Sequence, residues 1–389
     1  MTLDPNPACM TGLAFEDVCI LIQGLTAFLP SEEELRKLFW GRTNDLWQMA
    51  EALGAFHKDF VYHEEKDEIL RTGLEVSSYV NVDDTGARHA GKNGYCTHIG
   101  NEWFAWFQSS EHKNRINFLE LLRTGHTDYI IDADAIEYMQ TQGLPKAPLR
   151  LLVSHEKKAF GNKAEWEAHL NVLSITNSRH VRITTEGALI GSILNHGVSK
   201  QLVIVSDDAG QFDVLLHALC WIHAERTINK IIPFNDQQRV ALEEMRTEIW
   251  QLYADLKSYK AEPAEEKKAE LQERFDTIFG AKTPFATLNE ALKRLHNNKA
   301  ELLLVLERPE SPLHNNTSEG DIREYVKKRK ISGGTRSTPG QRCRDTFASL
   351  KKTCRKLGIT FWDYLNDRAS KSNLIPPLSQ RIRERANSP

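Results

Sequence analysis

The stretch Gln201-Leu202-Val203-Ile204-Val205-Ser206-Asp207-Asp208 is the clearest buried strand in this sequence. Its four consecutive aliphatic residues lack polar alternation, which is typical of a central strand that is covered on both faces. The strand runs directly into two acidic residues. Because open α/β sheets carry their sites beyond the carboxyl ends of strands, we expect a polar site at this point of the sheet.

Upstream of this strand, alternating patterns predict a meander of three strands at 78–83, 95–99 and 103–108, with a turn at Gly100-Asn101. The first of these strands ends in Asp83. A further short strand is predicted at 129–131, and helices are predicted at 115–122, 133–142, 162–174, 185–197 and 212–230. The mixture of strands and helices predicts an α/β fold.

Downstream, apolar residues spaced by three and four predict a helical block at 237–306, followed by helices at 317–330, 341–357 and 360–369. The predicted organisation has five regions. They are an N-terminal helical region compatible with a DNA-binding helix-turn-helix remnant (1–75), the first part of an α/β core (76–236), the helical block (237–306), the last part of the core (307–369) and a basic tail (370–389).

Charge is distributed unevenly along the 389 residues. The net charge is −3, with 50 basic and 53 acidic side chains, but residues 320–389 hold 17 Lys and Arg against 6 Asp and Glu. A basic segment of this kind favours a polyanionic partner, because contacts between Lys or Arg and phosphate dominate nucleic-acid affinity. The alternative is a solvated basic surface that balances the acidic first 319 residues.

Several classes of protein are disfavoured by composition. No stretch approaches the roughly 18 apolar residues of a membrane helix, and residues 1–10 lack the pattern of a secretory signal. The six cysteines are scattered and form no Cys-x-x-Cys pair, so a disulfide framework is not expected. These features predict a cytoplasmic protein without a membrane partner.

Three acidic residues stand out as candidates for chemistry. Asp83 and Asp207 end predicted strands, and Glu319 lies on a helix opened by Asn315-Asn316. Carboxylates at one sheet edge bind hard divalent cations, and a third carboxylate from a helix would complete a two-metal site for phosphoryl transfer. Each acid also has a structural explanation: the aspartates as turn residues, and Glu319 as the partner of an Asn316 cap. Asp84 and Asp208 are alternatives to their neighbours, and Asp132 or Asp134, after another short strand, is a further alternative.

A second pattern is formed by His217, Cys220 and His223, which are three residues apart on the predicted helix 212–230. This spacing puts them near one face of a helix. A structural zinc site needs a fourth ligand, and no second Cys/His pair with finger spacing is present. We therefore favour packing over zinc binding for these side chains.

Four blocks together resemble transposases of the insertion-sequence 66 family. They occur in order between about residues 75 and 368. The blocks are Val82-Asp83-Asp84-Thr85-Gly86 with Gly91-Lys92-Asn93-Gly94-Tyr95, Val205 to Asp213, the Cys-x-x-His of Cys220 and His223, and the Asn-Asn-x-x-Glu of Asn315, Asn316 and Glu319. The sequence departs from the family pattern at Asp84, where Glu is usual, and at Gly320, where Arg is frequent.

The resemblance implies an RNase H-like mixed sheet with the helical block as an insertion and flanking helices at both ends. It implies a catalytic triad of Asp83, Asp207 and Glu319 that binds two Mg²⁺ or Mn²⁺ ions. The implied activity is DDE transposition, in which DNA is cleaved at the element ends and joined to target DNA. The implied setting is the prokaryotic nucleoid, with double-stranded DNA, a homo-oligomer on that DNA and accessory proteins of the element as partners.

The basic run after Glu319 is the candidate DNA contact. Its members are Arg323, Lys327, Lys328, Arg329 and Lys330. They would contact phosphates from one helix, although a solvated helix face would have the same composition. Two alternatives to a transposase remain at this point: a catalytically inactive DNA-binding relic, and an RNase H-like nuclease without strand transfer.

Overall fold

The computed structural model describes residues 62–388, which form both helices and strands. The strands are β1 (Tyr79–His89), β2 (Lys92–Gly100), β3 (Ala105–Ser110), β4 (Tyr129–Ile130), β5 (Ala159–Phe160), β6 (Val203–Ser206) and β7 (Leu216–Leu219). The helices are α1 (Tyr62–Val76), α2 (Arg115–Leu122), α3 (Ala133–Thr141), α4 (Lys146–Ser154), α5 (Lys163–Val172), α6 (Ser178–Asn195), α7 (Trp221–Asn229), α8 (Asp236–Ala261), α9 (Glu265–Phe279), α10 (Ala286–Asn297), α11 (Lys299–Leu302), α12 (Asn316–Ser332), α13 (Thr338–Lys356), α14 (Phe361–Ser370) and α15 (Leu378–Ala386).

Five strands form a mixed sheet in the order β3-β2-β1-β6-β7. β2 and β3 are antiparallel, whereas β6 runs parallel to both β1 and β7. All four residues of β6 are buried, as its aliphatic run predicts. The predicted α/β class is therefore confirmed. The predicted helix-turn-helix remnant falls largely on residues 1–61, outside the described part of the chain.

The chain divides into two compact units. The first contains α1 together with residues 84–112 and 320–388, and the second contains residues 77–83 and 113–319. β1 and α12 contribute to both units. None of the helices within residues 62–388 combines the length and apolarity that crossing a membrane requires.

In the first unit, α13 lies against β3 through a polar stripe. Phe107 N–H donates to Ser349 Oγ at 2.9 Å, Ser109 N–H to Asp345 Oδ2 at 2.6 Å, and Ala105 N–H to Thr353 Oγ1 at 3.2 Å. The three helix residues are four apart and therefore share one face. They satisfy the backbone N–H groups along one side of the strand.

In the second unit, α8, α9 and α10 enclose an apolar cluster. Leu252, Phe275 and Leu288 are fully buried there, and Trp221 from α7 packs into the same cluster. These contacts explain the spacing of three and four that predicts helices in this part of the sequence. The interpretation of the block as an inserted domain stays a prediction.

Two local predictions are wrong. The predicted helix at 212–230 contains strand β7 and then the shorter helix α7, because Leu216–Leu219 pairs residue by residue with Val203–Ser206 of β6. A short apolar run fits either structure, and here the sheet decides between them. Asp83 also does not end its strand, since β1 continues to His89.

A buried group of charges links α12 to α13 in the first unit. Asp321 lies 2.9 Å from Lys356 Nζ and 3.2 Å from His98 Nε2, and Glu324 lies 2.6 Å from Lys352 Nζ. Burial alone would raise the pKa of both carboxyls. The contacts with His98 and Lys356 outweigh burial and lower the pKa of Asp321, and hydrogen bonds from Lys352 and Lys351 lower the pKa of Glu324 to about 2.

In the Glu324→Gln variant, the free energy of unfolding should therefore change less with pH in the acidic range. A carboxyl whose pKa is lower in the folded than in the unfolded chain stabilises the fold above its unfolded pKa of about 4.3, and this contribution disappears as the pH falls towards 2. We expect the variant to be less stable than the parent at pH 7 and the difference to shrink by pH 3. Urea unfolding at pH 7, 4 and 3 measures it, with exposed Glu111→Gln as control. A difference that is constant with pH would contradict the prediction.

Candidate active site

The pairing of β1 with β6 bears on the positions of Asp83 and Asp207 along these two strands. Tyr79 pairs with Val203, and Asn81 pairs with Val205. The last recorded pair is Asn81 with Val205; if the same register continued for two more residues, it would set Asp83 beside Asp207. Neighbouring strands lie about 4.8 Å apart, and side chains in register leave the same face of a sheet. The strand pairing therefore supports two carboxylates side by side.

Asn315 ties the start of α12 to β1 at the same level. Its side-chain amide donates to the Val82 carbonyl at 2.7 Å, and its Oδ1 accepts from Asn81 Nδ2 at 2.9 Å. Its backbone N–H donates to Cys220 Sγ at 3.2 Å. Asn315 is fully buried, so these bonds have no competition from water. Asn81 alternates with Asp83 along the strand and therefore shares its face.

The Cys-x-x-His and Asn-Asn-x-x-Glu motifs meet in two successive contacts. Cys220 contacts Asn315, and one turn further along each helix His223 Nε2 lies 3.5 Å from Glu319 Oε1. Arg226 Nη2 lies 3.9 Å from the same oxygen. The spacing within each motif is thus the spacing of one helical turn. The sequence contains no sign of this pairing, because the two motifs are about 90 residues apart.

The structure bears on the capping role of Glu319 and on zinc binding by Cys220. A capping box with Asn316 as the cap would direct the Glu319 side chain at the Asn316 N–H, but α12 already begins at Asn316, and the Asn315 carbonyl accepts from the Glu319 N–H at 3.1 Å. Glu319 is therefore the fourth residue of the helix, one position beyond the acid of a capping box. Burial raises the pKa of the Cys220 thiol. His217 lies on β7, not on a helix, and bonds Ser206 Oγ at 2.8 Å. His217, Cys220 and His223 therefore do not form a ligand set on one helix.

The two neighbouring aspartates have their own partners. Asp84 Oδ1 accepts from Thr97 Oγ1 at 2.5 Å. Asp208 forms an ion pair with Arg294 on α10. Asp207 Oδ1 accepts from the Ala209 N–H at 3.1 Å in a local turn. The choice of Asp83 over Asp84 and of Asp207 over Asp208 stays a prediction.

The three carboxylates are not drawn into one tight cluster. Among residues 62–388, the set of three potential ligand residues whose ligand atoms all lie within 4.8 Å of one another is His126, Asp128 and His196. A two-metal site does not require such closeness, because its ions are about 4 Å apart and ligands of different ions need not touch. The convergence of Asp83, Asp207 and Glu319 on metal ions stays a prediction.

The basic run on α12 divides into two groups. Arg323, Lys327 and Lys330 are exposed and, at spacings of four and three, share one helix face. Lys328 is partly buried. Arg329 donates to the Gly86 carbonyl and to Thr85 Oγ1 on β1, so its guanidinium is held by the fold. The exposed stripe is thus a better candidate for DNA contact than the whole run.

Comparison with known proteins identifies the family. The family described as "Transposase IS66 family" matches residues 180–342, which include Asp207, Cys220, His223, Asn315 and Glu319. An uncharacterized protein, y4jO, of Sinorhizobium fredii (strain NBRC 101917 / NGR234) is 42% identical over 321 residues, covering 82% of this chain and 100% of the relative. No solved structure matches. With the motif residues inside the matched region, the chain belongs to the IS66 family of transposases.

Proposed function

We propose that this protein is a DDE transposase that cleaves DNA at the ends of a mobile element and joins them to target DNA. The observation that supports the proposal is the β1–β6 register, whose continuation by two residues would bring Asp83 level with Asp207, near the anchored start of α12. We further propose that the sheet is an RNase H-like core with the helical block 237–306 inserted in it. An antiparallel meander continued by two parallel strands supports this fold.

The donor set fits hard divalent cations. Asp83, Asp207 and Glu319 offer only carboxylate oxygens, which Mg²⁺ prefers. Glu319 Oε1 is buried and accepts no hydrogen bond, and its nearest charged neighbours, His223 and Arg226, are 3.5 and 3.9 Å away. We propose that these three residues hold two Mg²⁺ or Mn²⁺ ions. When bound, such ions activate an attacking hydroxyl or water and stabilise the leaving oxygen of a phosphodiester.

The residues around Glu319 would position the carboxylate and the substrate. His223 and Arg226 approach Oε1 from α7 and would hold the carboxylate in a fixed orientation. The Arg226 side chain is also 44% exposed, so it can contact a DNA phosphate from the same place. The anchoring bonds of Asn315 hold the first turn of α12 still while DNA binds. Double-stranded DNA is the proposed partner, with further copies of the chain and accessory proteins of the element completing the complex.

The decisive experiment uses labelled duplexes that carry the element ends, with target DNA and Mg²⁺. Cleavage at the ends followed by covalent joining to the target is the expected result. Cleavage without joining would indicate an RNase H-like nuclease, and binding without cleavage would indicate a catalytically inactive relic. Omission of the divalent ion should stop both steps without releasing the DNA.

The exposed stripe on α12 yields a prediction about salt. If Arg323, Lys327 and Lys330 contact phosphates, log affinity should fall linearly with log salt, with a slope of about −0.9 per contact. Replacing all three by Gln should reduce the slope by about 2 to 3 and weaken binding to any duplex similarly. Titrations at three salt concentrations measure this.

The matched control replaces Lys257, Lys267 and Lys293 by Gln, which removes the same charge from exposed positions of the helical block. Equal slopes for the two variants would contradict the prediction.

A further inference from the structure

A cluster of two histidines and an aspartate lies in the second unit, formed by residues other than the carboxylate triad. His126 and Asp128 belong to the segment between α2 and β4, and His196 follows the last residue of α6. The His196 Nε2 atom is 3.0 Å from both carboxylate oxygens of Asp128, and the imidazole rings of His126 and His196 stack with centroids 3.5 Å apart. One ligand atom from each residue lies within 4.8 Å of the others.

The donor types select the ion. Two imidazole nitrogens and one carboxylate oxygen are borderline ligands that suit Zn²⁺, whereas Mg²⁺ prefers an all-oxygen shell. Ser192 Oγ donates to Asp128 Oδ1 at 2.9 Å, which fixes the orientation of the carboxylate before an ion binds. The Asp128 carbonyl is held by Arg123 Nη1 at 2.8 Å.

The position of the cluster also favours a cation. His196 stands at the C-terminal end of α6, an 18-residue helix whose last carbonyls carry partial negative charge. All three side chains are half-buried, so an ion could enter from solvent and retain a water in the fourth position. The cluster joins two segments that are about 70 residues apart in sequence.

We propose that His126, Asp128 and His196 bind a Zn²⁺ ion that ties the segment after α2 to the end of α6. An ion lies in the plane of each imidazole that binds it, so the His126 ring must turn out of its stack on His196. Ligand atoms in a tetrahedral site with bonds of about 2.05 Å are about 3.3 Å apart. His196 Nε2 and the Asp128 oxygens are already 3.0 Å apart, so the adjustment on ion binding falls mainly on His126.

Titration with Co²⁺, a spectroscopic substitute for Zn²⁺, tests the proposal. The full chain is stripped with a chelator, dialysed and titrated with Co²⁺ while visible absorption is recorded, and Zn²⁺ is then added to displace it. We expect one equivalent of Co²⁺ to produce the intense absorption of a four-coordinate site, and Zn²⁺ to abolish it; ions bound by the carboxylates alone would not contribute to this absorption. Each of His126→Ala, Asp128→Asn and His196→Ala should lose this absorption, and Zn²⁺ should raise the melting temperature only where it is retained.

Two controls separate this site from others. His180→Ala removes a histidine near the opposite end of α6 and should keep the absorption. Asp207→Asn alters the proposed catalytic site and should also keep it, so failure of the proposed function would not affect this result. Unchanged stoichiometry and absorption in the three ligand variants would overturn the proposal. If His196→Ala fails to fold, His126→Ala, on a half-exposed segment, decides the outcome.

Discussion

Asp207→Asn is expected to abolish metal-dependent DNA cleavage, lowering its rate by roughly a thousandfold or more. The substitution keeps the size of the side chain and its turn bond to Ala209 but removes the charge that a divalent cation needs. Stability should not fall, because Asp207 is next to Asp208 and removing one of two neighbouring negative charges lessens their repulsion without metal, and the melting temperature should be equal or higher. Cleavage of labelled element ends with Mg²⁺ or Mn²⁺, together with thermal unfolding, measures both effects.

The matched control for this prediction is Asp208→Asn. It removes the same charge one residue further along, where the carboxylate pairs with Arg294 instead. We expect cleavage to stay within about tenfold of the parent, which is about 1.4 kcal/mol in activation free energy. Full activity in Asp207→Asn with loss in Asp208→Asn would reverse the assignment. Full activity in both would exclude this strand end from the chemistry.

Asn315→Ala should cause the largest loss of stability among the motif residues. It removes the donor to the Val82 carbonyl and leaves the Asn81 amide with only its 3.4 Å bond to the His314 carbonyl, in the interior of the second unit. Unsatisfied buried polar groups cost about 1–3 kcal/mol each, so we expect the free energy of unfolding to fall by about 2–4 kcal/mol. Cleavage should also fall when measured well below the melting temperature, because Glu319 loses the anchor of its helix.

Asn316→Ala is the control for that experiment. Asn316 is exposed and follows Asn315 directly, so its loss should change the free energy of unfolding by less than about 0.5 kcal/mol. Urea unfolding of both variants gives the comparison. If the two variants are equally stable, the bonds of Asn315 do not hold the start of α12. If Asn315→Ala is unstable yet fully active, Glu319 does not depend on that anchor.

The parts of the fold that the sequence predicts well are those determined by local pattern. The aliphatic run before Asp207 forms the buried strand β6, and the predicted helix 115–122 has the observed bounds of α2. The spacing of leucines predicts the helices of the block that starts at Asp236. In each case the burial of one face follows from residues close together in the chain, so no distant partner is needed to recognise it.

The errors and omissions come from partners that are distant in sequence. Leu216–Leu219 forms a strand because β6 offers it a free edge, which its own four residues cannot indicate. The pairing of Cys220 with Asn315 gives the cysteine motif a structural purpose that spacing alone left open. Arg329 looks like its basic neighbours in sequence, and only the position of Gly86 distinguishes it. The same holds for the proposed site. Its acidic residues are recognisable from sequence motifs, whereas the residues that they contact are evident only from the fold.

The polar stripe of α13 has a consequence for assembly. β3 is the outermost strand of its sheet, and such a strand ordinarily invites a strand from another molecule to join it. Thr353, Ser349 and Asp345 occupy the N–H groups that an incoming strand would need. Copies of this protein cannot extend the sheet along that border while α13 is in place. Chains that end before Thr338 would lose this protection, and we expect them to aggregate through β3.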